Sequence, residues 1–467
     1  MSLLPELWAL LSCTYKHFAP TALAEFCTNQ PVTAMTPQSN FMVLAPIIPE
    51  RETELRRLLD SMNLGPGQVD PNNALLPFAE FHPLHFARFV ILDDKTTEDI
   101  RVYGLAPRQY PLYLAFLGDV DGDANAFLSK LVERAGEGLA RIFSCCEGFS
   151  ADTDLLTWMK QRHAPAIAAY VNWRGRTVRQ IREEAALYDA LQNYIEQNAA
   201  AFQGLPPREL HEKLRSFVNA EKSAGRLTLS NESPTPIGWQ IRNVLHMIGM
   251  PLLVLIVSPL LILLAPFYII ALRRLEKTDP EVCPTVDQKH SENLSRIEDH
   301  DVTNQFSAMG SLKPGLVRLL TTVGVLKTVN YGVRHFTRPG CLGRIRSIHF
   351  ARWVFVAGTE RMIFCSNYDG SVESYMDDFI NKTGFGLNAS FSNGIGYPRT
   401  NWLVRDGCID ERNYKEYLRR HTLPTQVWYK AYPGMTAADL ERHTRIRLGL
   451  EILSMTDEQA REWVALL

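Results

Sequence analysis

One pattern occurs twice in this chain, and no other feature constrains its fold as strongly. Leu84-His85-Phe86-Ala87-Arg88-Phe89-Val90 returns as Ile348-His349-Phe350-Ala351-Arg352-Trp353-Val354. Downstream, Phe116 to Phe149 lies over Phe364 to Tyr397 without a gap, at a constant offset of 248 residues. In that window Phe116, Asp121, Gly122, Gly136, Gly138, Leu139, Phe143, Ser144 and Gly148 meet identical residues at Phe364, Asp369, Gly370, Gly384, Gly386, Leu387, Phe391, Ser392 and Gly396. Arg162-His163 answers to Arg420-His421, and Tyr170-x-x-Trp173-x-Gly175-x-Thr177 to Tyr429-x-x-Tyr432-x-Gly434-x-Thr436. So long a period is not that of a solenoid. It marks a duplicated domain, each copy large enough to bury a core without disulfides or metals.

Within each copy the apolar spacing alternates between strand and helix periods. The first copy reads as a strand at Phe41 to Ala45, a helix from Glu50 to Met62, and strands at His85 to Leu92 and Tyr110 to Leu117. A helix from Ala124 to Ala135 and a strand from Ala140 to Cys145 follow. After a helix at Asp152 to Arg162 and an extra strand at Ala168 to Trp173, Thr177 caps a helix reaching Gln197. The second copy repeats the order, with strands near Gln305 to Ser311, Ile348 to Val356, Arg361 to Ser366 and Ala389 to Asn393. Its helices begin after Pro314 and at Val372, Thr436 and Thr456.

The order β-α-β-β-α-β is ferredoxin-like. The expected class is α+β, with two tandem ferredoxin-like domains and an apolar helical insert between them. The boundaries are an N-terminal helical extension (1–38), repeat 1 (39–200), a helical linker (201–242), a hydrophobic membrane segment (243–275), a polar linker (276–302) and repeat 2 with C-terminal helices (303–467). Asp93 to Gln109 is a polar insertion missing from the second copy.

The insert is the second informative feature. From Asn243 to Leu272 no Asp, Glu, Lys or Arg occurs, a run longer than the roughly 20 residues that span a bilayer. Pro251, Pro259 and Pro266 interrupt it, each removing a backbone donor. Arg242 stands at one end and Arg273, Arg274 and Lys277 at the other, so flanking charge sets no orientation. A single crossing would put the two copies on opposite sides of the membrane, where their sheets could not pack together. The expectation is a re-entrant or interfacial hairpin hinged near Pro259, monotopic, with both repeats on the cytoplasmic side. Its partners would be the lipid bilayer and an apolar small-molecule substrate.

Lys and Arg total 49 against 51 Asp and Glu, which excludes the basic footprint of a nucleic-acid binder. Eight cysteines without C-x-x-C spacing indicate free thiols in a reducing compartment. No positive n-region precedes the first apolar stretch and Glu6 interrupts it, so a signal peptide is not expected. P-loop, G-x-G-x-x-G, G-x-S-x-G and H-E-x-x-H signatures are missing.

The candidate chemistry lies in the repeated polar residues. Two histidine pairs recur, His85 with His349 and His163 with His421, and each could bond a neighbouring backbone group or serve as a ligand or proton carrier. Arg88 and Arg352 follow the first pair at i+3, which on a regular strand places them on the opposite face. Asp121-Gly122 and Asp369-Gly370 end a strand ahead of a helix. There the Asp could cap that helix, or act as an acid-base group beside Arg88 or Arg141. His290 and Glu298-Asp299-His300-Asp301 read as a solvated linker.

Two such units in one chain resemble the dimeric α/β-barrel superfamily, which includes dye-decolorising peroxidases, chlorite dismutases and small monooxygenases. Gly118-Asp119-Val120-Asp121-Gly122 has the form G-x-x-D-G, similar to the dye-decolorising peroxidase signature; the second copy has Ser366-Asn367-Tyr368-Asp369-Gly370. The resemblance implies a pseudo-dimeric barrel and a heme-dependent, peroxidase-like oxidoreductase acting on an apolar or lipid-derived substrate. It implies Asp121 or Asp369 as the acid-base group on peroxide, Arg88 or Arg352 as its cationic partner, and His349, His421, His85 or His163 as heme contacts. A cofactor-independent or flavin-linked monooxygenase and a non-enzymatic lipid- or small-molecule-binding protein are the alternatives.

Overall fold

Eight main strands form two four-stranded antiparallel sheets, and each sheet takes its last strand from the other copy. The computed structural model describes residues 35–281, 283–337 and 339–467; most of the expected N-terminal helical extension lies outside them. The strands of the first copy are β1 (Gln38–Pro46), β2 (Leu84–Leu92), β3 (Tyr113–Asp121) and β4 (Ala166–Val171). Those of the second are β5 (Thr303–Ser311), β6 (Ile348–Phe355), β7 (Arg361–Asp369) and β8 (Thr425–Lys430). One sheet runs β1-β3-β2-β8 and the other β4-β6-β7-β5. The chain leaving the first copy makes one isolated bridge to β1, between His163 and Val43, then pairs along β6. The protein is therefore α+β.

The helices are α1 (Glu52–Asp60), α2 (Thr97–Val102), α3 (Ala124–Phe143), α4 (Leu155–Gln161), α5 (Val178–Gln197), α6 (Pro207–Ser223) and α7 (Ile237–Lys277). The rest are α8 (Gln288–Ser295), α9 (Leu316–His335), α10 (Val372–Phe391), α11 (Glu411–His421), α12 (Ala437–Glu451) and α13 (Asp457–Val464). Threonine starts three of them as expected: Thr177, Thr436 and Thr456 each close a capping box. Helices α1, α3 and α4 cover the outer face of the first sheet, where Phe41, Phe89 and Phe116 of the strands share a core with Leu131 and Phe143 of α3 and Trp158 of α4. Leu187 and Leu191 of α5 meet Ile446 of α12 and Trp463 of α13 in a separate helical core that ties the two copies together.

Two expected strands are helix instead. Ala140 to Cys145 falls in the last turn of α3 and the turn after it, and Ala389 to Asn393 does the same at α10. A short apolar run reads alike as a buried strand or the inner side of a helix. Gly138 sits mid-helix because a Cβ there would lie 1.8 Å from the Leu75 carbonyl oxygen. The fourth strand is therefore β4 in the first copy, where an extra strand is expected at Ala168 to Trp173, and β8 in the second. The polar insertion also has structure: α2 carries Asp99 into the interior, where Arg420 grips it through Nε and Nη2.

Helix α7 is apolar on every side and long enough, at 41 residues, to cross a membrane or attach to one. It is one continuous helix through all three prolines, not a hairpin hinged near Pro259. It runs antiparallel to α9: His246 Nδ1 meets His335 Nε2 at 2.8 Å, Tyr331 Oη donates to the Met247 carbonyl, and Tyr268 meets Thr321. Its remaining sides are exposed, as are Leu316, Leu319, Leu320 and Phe336 on and beside α9.

Candidate functional site between the sheets

Alternation along β2 and β3 decides what fills the gap between the sheets. Arg88, Val90 and Leu92 point inward from β2, as do Ala115, Leu117 and Asp119 from β3. At one end Met42, Leu44, Val90, Leu92 and Leu117 meet Met309, Val354, Ile363, Cys365 and Leu423. At the other end Phe86 stacks on Trp428 at 5.3 Å and meets Phe350 edge-on.

Between these apolar layers the arginines cross over. Arg88 leaves the first sheet and donates to the Phe306 carbonyl, Ser307 Oγ, the Ser366 carbonyl and Asn367 on the second. Arg352 makes the return crossing, to the Phe41 and Gly118 carbonyls and to Asp119. Asp119 and Asn367 hold equivalent positions, so two guanidinium groups share one carboxylate. Burial, and then the charge of Arg352, pull Arg88 down to about 10, against the pull of neighbouring acidic groups. Its guanidinium also lies 4.8 Å from the Trp428 ring.

The histidines do not share that space with the arginines. A register irregularity at His85 and another at His349 send each ring toward the end of its neighbouring strand. His85 Nε2 donates to Asp121 Oδ1 at 2.9 Å and His349 Nε2 to Asp369 Oδ1 at 2.6 Å. A carboxylate only accepts, so His85 Nδ1 is left to accept from Tyr432 Oη at 3.2 Å.

The second oxygen of each carboxylate goes to a distant helix. Asp121 Oδ2 accepts from the Val178 amide at 2.9 Å, and Asp369 Oδ2 from the Ala437 amide at 2.7 Å. These are the first residues of α5 and α12, whose free N–H groups favour a negative partner. The helices directly after the two Asp-Gly turns are capped by Asp123 and Ser371 instead. The aspartates thus staple each strand end to a histidine and to a helix more than 50 residues on.

His163 and His421 are not equivalents. His163 bridges Val43 whereas Thr422 bridges Ala308, and Val43 and Ala308 match along the paired strands. His421 therefore answers to Arg162, which packs on Trp158 at 4.0 Å as His421 packs on Tyr417 at 4.0 Å. His421 Nδ1 donates to the Tyr417 carbonyl at 2.8 Å, while its buried Nε2 has no partner among the described residues. Burial lowers its proton affinity. That nitrogen borders a cavity of about 30 Å³ lined by Phe306, Met309, Gly310, Met362 and Phe364. The space suits one or two waters.

The residues present do not fit a heme. Both ring nitrogens of His85 are engaged, the rings of Phe86 and Tyr432 pack against His349, and His163 is exposed. The cavity beside His421 is roughly a tenth of the smallest site that ordinary ligands occupy. Among the described residues no group of three or more His, Cys, Asp or Glu side chains could hold a metal ion. The polar linker is pinned rather than loose, with His290 Nε2 on the Arg419 carbonyl and Glu298 paired with Arg419.

Sequence reading missed Asp119 and Asn367, and the bonds from Asp121 and Asp369 to the helices that start after Thr177 and Thr436. The signal was present for the first pair, since Asp119 shares inward parity with Ala115 and Leu117. No family model, curated protein or solved structure matches the chain.

Proposed function

We propose that the protein is a monotopic membrane protein whose α+β body works as a non-catalytic platform at the lipid surface. The observation that carries this reading is the pairing of α7 with α9. The two lie side by side from Asn243 and His246, beside Arg334 and His335, to Tyr268 beside Thr321. A transverse α7 would drag α9 into the hydrocarbon with it, including exposed Lys327 and the charged Arg334. Charges at that depth are costly. Lying along the surface, α7 keeps its ends on one side and turns its uncovered apolar faces to lipid. The exposed leucines of α9 extend the same surface.

The body reads as two ferredoxin-like units that exchange their fourth strands, in the manner of a pseudo-dimeric α/β barrel. What favours a platform over a peroxidase or monooxygenase is how the polar residues are used. Arg88, Arg352, Asp121, Asp369, His85 and His349 all join one part of the body to another, and the gap between sheets is filled.

Two measurements test this. Single-cysteine labelling at residues on either side of α7 should place both ends in the same aqueous compartment; opposite compartments would end the monotopic reading. Detergent-purified protein should show no Soret band and no stoichiometric iron, and a heme spectrum would restore the peroxidase.

A further inference from the structure

We infer that the lipid surface this protein selects is an anionic one. The inference rests on the monotopic reading and adds the chemistry of the leaflet. Its source is a charge asymmetry that follows the two surface helices. From Ser233 to Leu275 there is no Asp or Glu, and none from Val302 to Thr359. These two stretches contain nearly all of α7 and the whole of α9.

Cations remain in both. Arg242, Arg274 and Lys277 on α7, Lys327 on α9, and Arg344 and Arg346 in the loop that follows are exposed, and none of the six is in an ion pair with a carboxylate among the described residues. Some exposed cations elsewhere do have such partners: Arg101 lies 3.0 Å from Glu98 and Arg226 2.6 Å from Glu221. A chain with near-zero net charge thus has no carboxylate in the two stretches that carry the apolar helix and its neighbour.

The apolar boundary is marked at both ends of α7 by an aromatic ring with an arginine. Arg334 lies 6.0 Å from the Trp239 ring and Arg273 4.5 Å from that of Trp402, which is 54% exposed. Indole rings settle at headgroup depth, so the neighbouring cations lie at the level of lipid phosphates and carboxylates. Basic residues so placed are drawn to anionic headgroups, and the attraction falls with salt. Neutral lipid would satisfy the leucines but offer these six cations no net negative charge.

The experiment is a competition. Full-length protein is transferred from detergent to an equal mixture of phosphatidylcholine vesicles and phosphatidylcholine vesicles with about 30 mol % phosphatidylserine, separately dye-labelled and sorted after flotation. The expected outcome at low salt is roughly a tenfold excess on the anionic vesicles, shrinking in 1 M salt. Changing Arg242, Arg274, Lys277 and Lys327 to Gln should bring the ratio near unity while total flotation is unchanged. Equal partitioning of the unaltered protein would overturn the anionic preference and leave membrane attachment standing. Failure to float with either population would overturn both.

Discussion

Asn367 Nδ2 reaches Asp119 Oδ2 at 3.4 Å across the gap between the sheets, joining equivalent positions of the two copies. Each is also the terminus of an arginine crossing, Arg352 to Asp119 and Arg88 to Asn367. The duplication kept both arginines but only one carboxylate. Asp119→Asn would therefore leave two buried guanidinium groups with no counter-charge, a loss on the order of 3–5 kcal/mol. Asn367→Asp supplies the second carboxylate and should cost far less, or stabilise. Urea unfolding of both variants measures this; equal destabilisation would mean that charge balance is not what matters between the sheets.

The staples make a separate prediction. Asp121→Ala removes the acceptor of both His85 Nε2 and the Val178 amide. Two buried donors left unsatisfied cost about 1–3 kcal/mol each. Because Asp369 makes the same bonds to His349 and Ala437, Asp369→Ala should lose a similar amount. Hydrogen exchange should rise first at the N-terminus of α5 in one variant and of α12 in the other. Unchanged exchange at these helix starts would show that the aspartates do not hold them.

The contact of α7 with α9 should loosen in acid. Burial, then His246, Arg334 and Arg174, push His335 down to about 4. A histidine that resists protonation when folded contributes stability that is complete above its unfolded value near 6.5 and is lost as pH falls toward 4. A second proton on the His246–His335 pair adds a charge beside Arg334 without an acceptor. Trp239 emission should shift between about pH 6 and 4 in the native protein and stay flat in His335→Gln. A transition that persists in His335→Gln would assign it to another group.

How much of this was legible beforehand depended on the range of the interaction. Strands β2, β6 and β7 and the capping boxes at Thr177, Thr436 and Thr456 follow from neighbours in sequence, and were readable there. The helical ends of α3 and α10 were not, because Ala140 to Phe143 carries the same apolar pattern on either backbone. The exchange of β4 and β8 is a choice between two edges of similar chemistry, which no local signal distinguishes. Repetition drew attention to Asp121 and His85 as reactive groups, yet repetition is equally the mark of a joint needed in both copies. His163 and His421 align in sequence only with one residue of slippage against the flanking Tyr170 and Tyr429. The strand register puts Arg162 opposite His421.

The exit of α7 is held by a buried ionic cluster that should respond to alkali. Glu276 accepts from the Trp402 and Leu403 amides, and both of those residues adopt left-handed φ angles of 55° and 65°. Asp279 binds Lys313 Nζ at 2.7 Å and Arg318 Nη2 at 2.7 Å, with all three side chains buried. Burial brings Lys313 down to about 8. A lysine that sheds its proton more easily when folded gives stability that rises as pH climbs from about 8 toward the unfolded value near 10.4. Thermal unfolding of the native protein should therefore move upward between about pH 8 and 9.5, and Lys313→Met should abolish the trend. Asp279→Asn strands two cations around a neutral amide and should cost about 3–5 kcal/mol at pH 7, with part of the loss recovered at pH 9 as Lys313 becomes neutral. A loss that is the same at both pH values would show that Lys313 keeps its proton in the cluster.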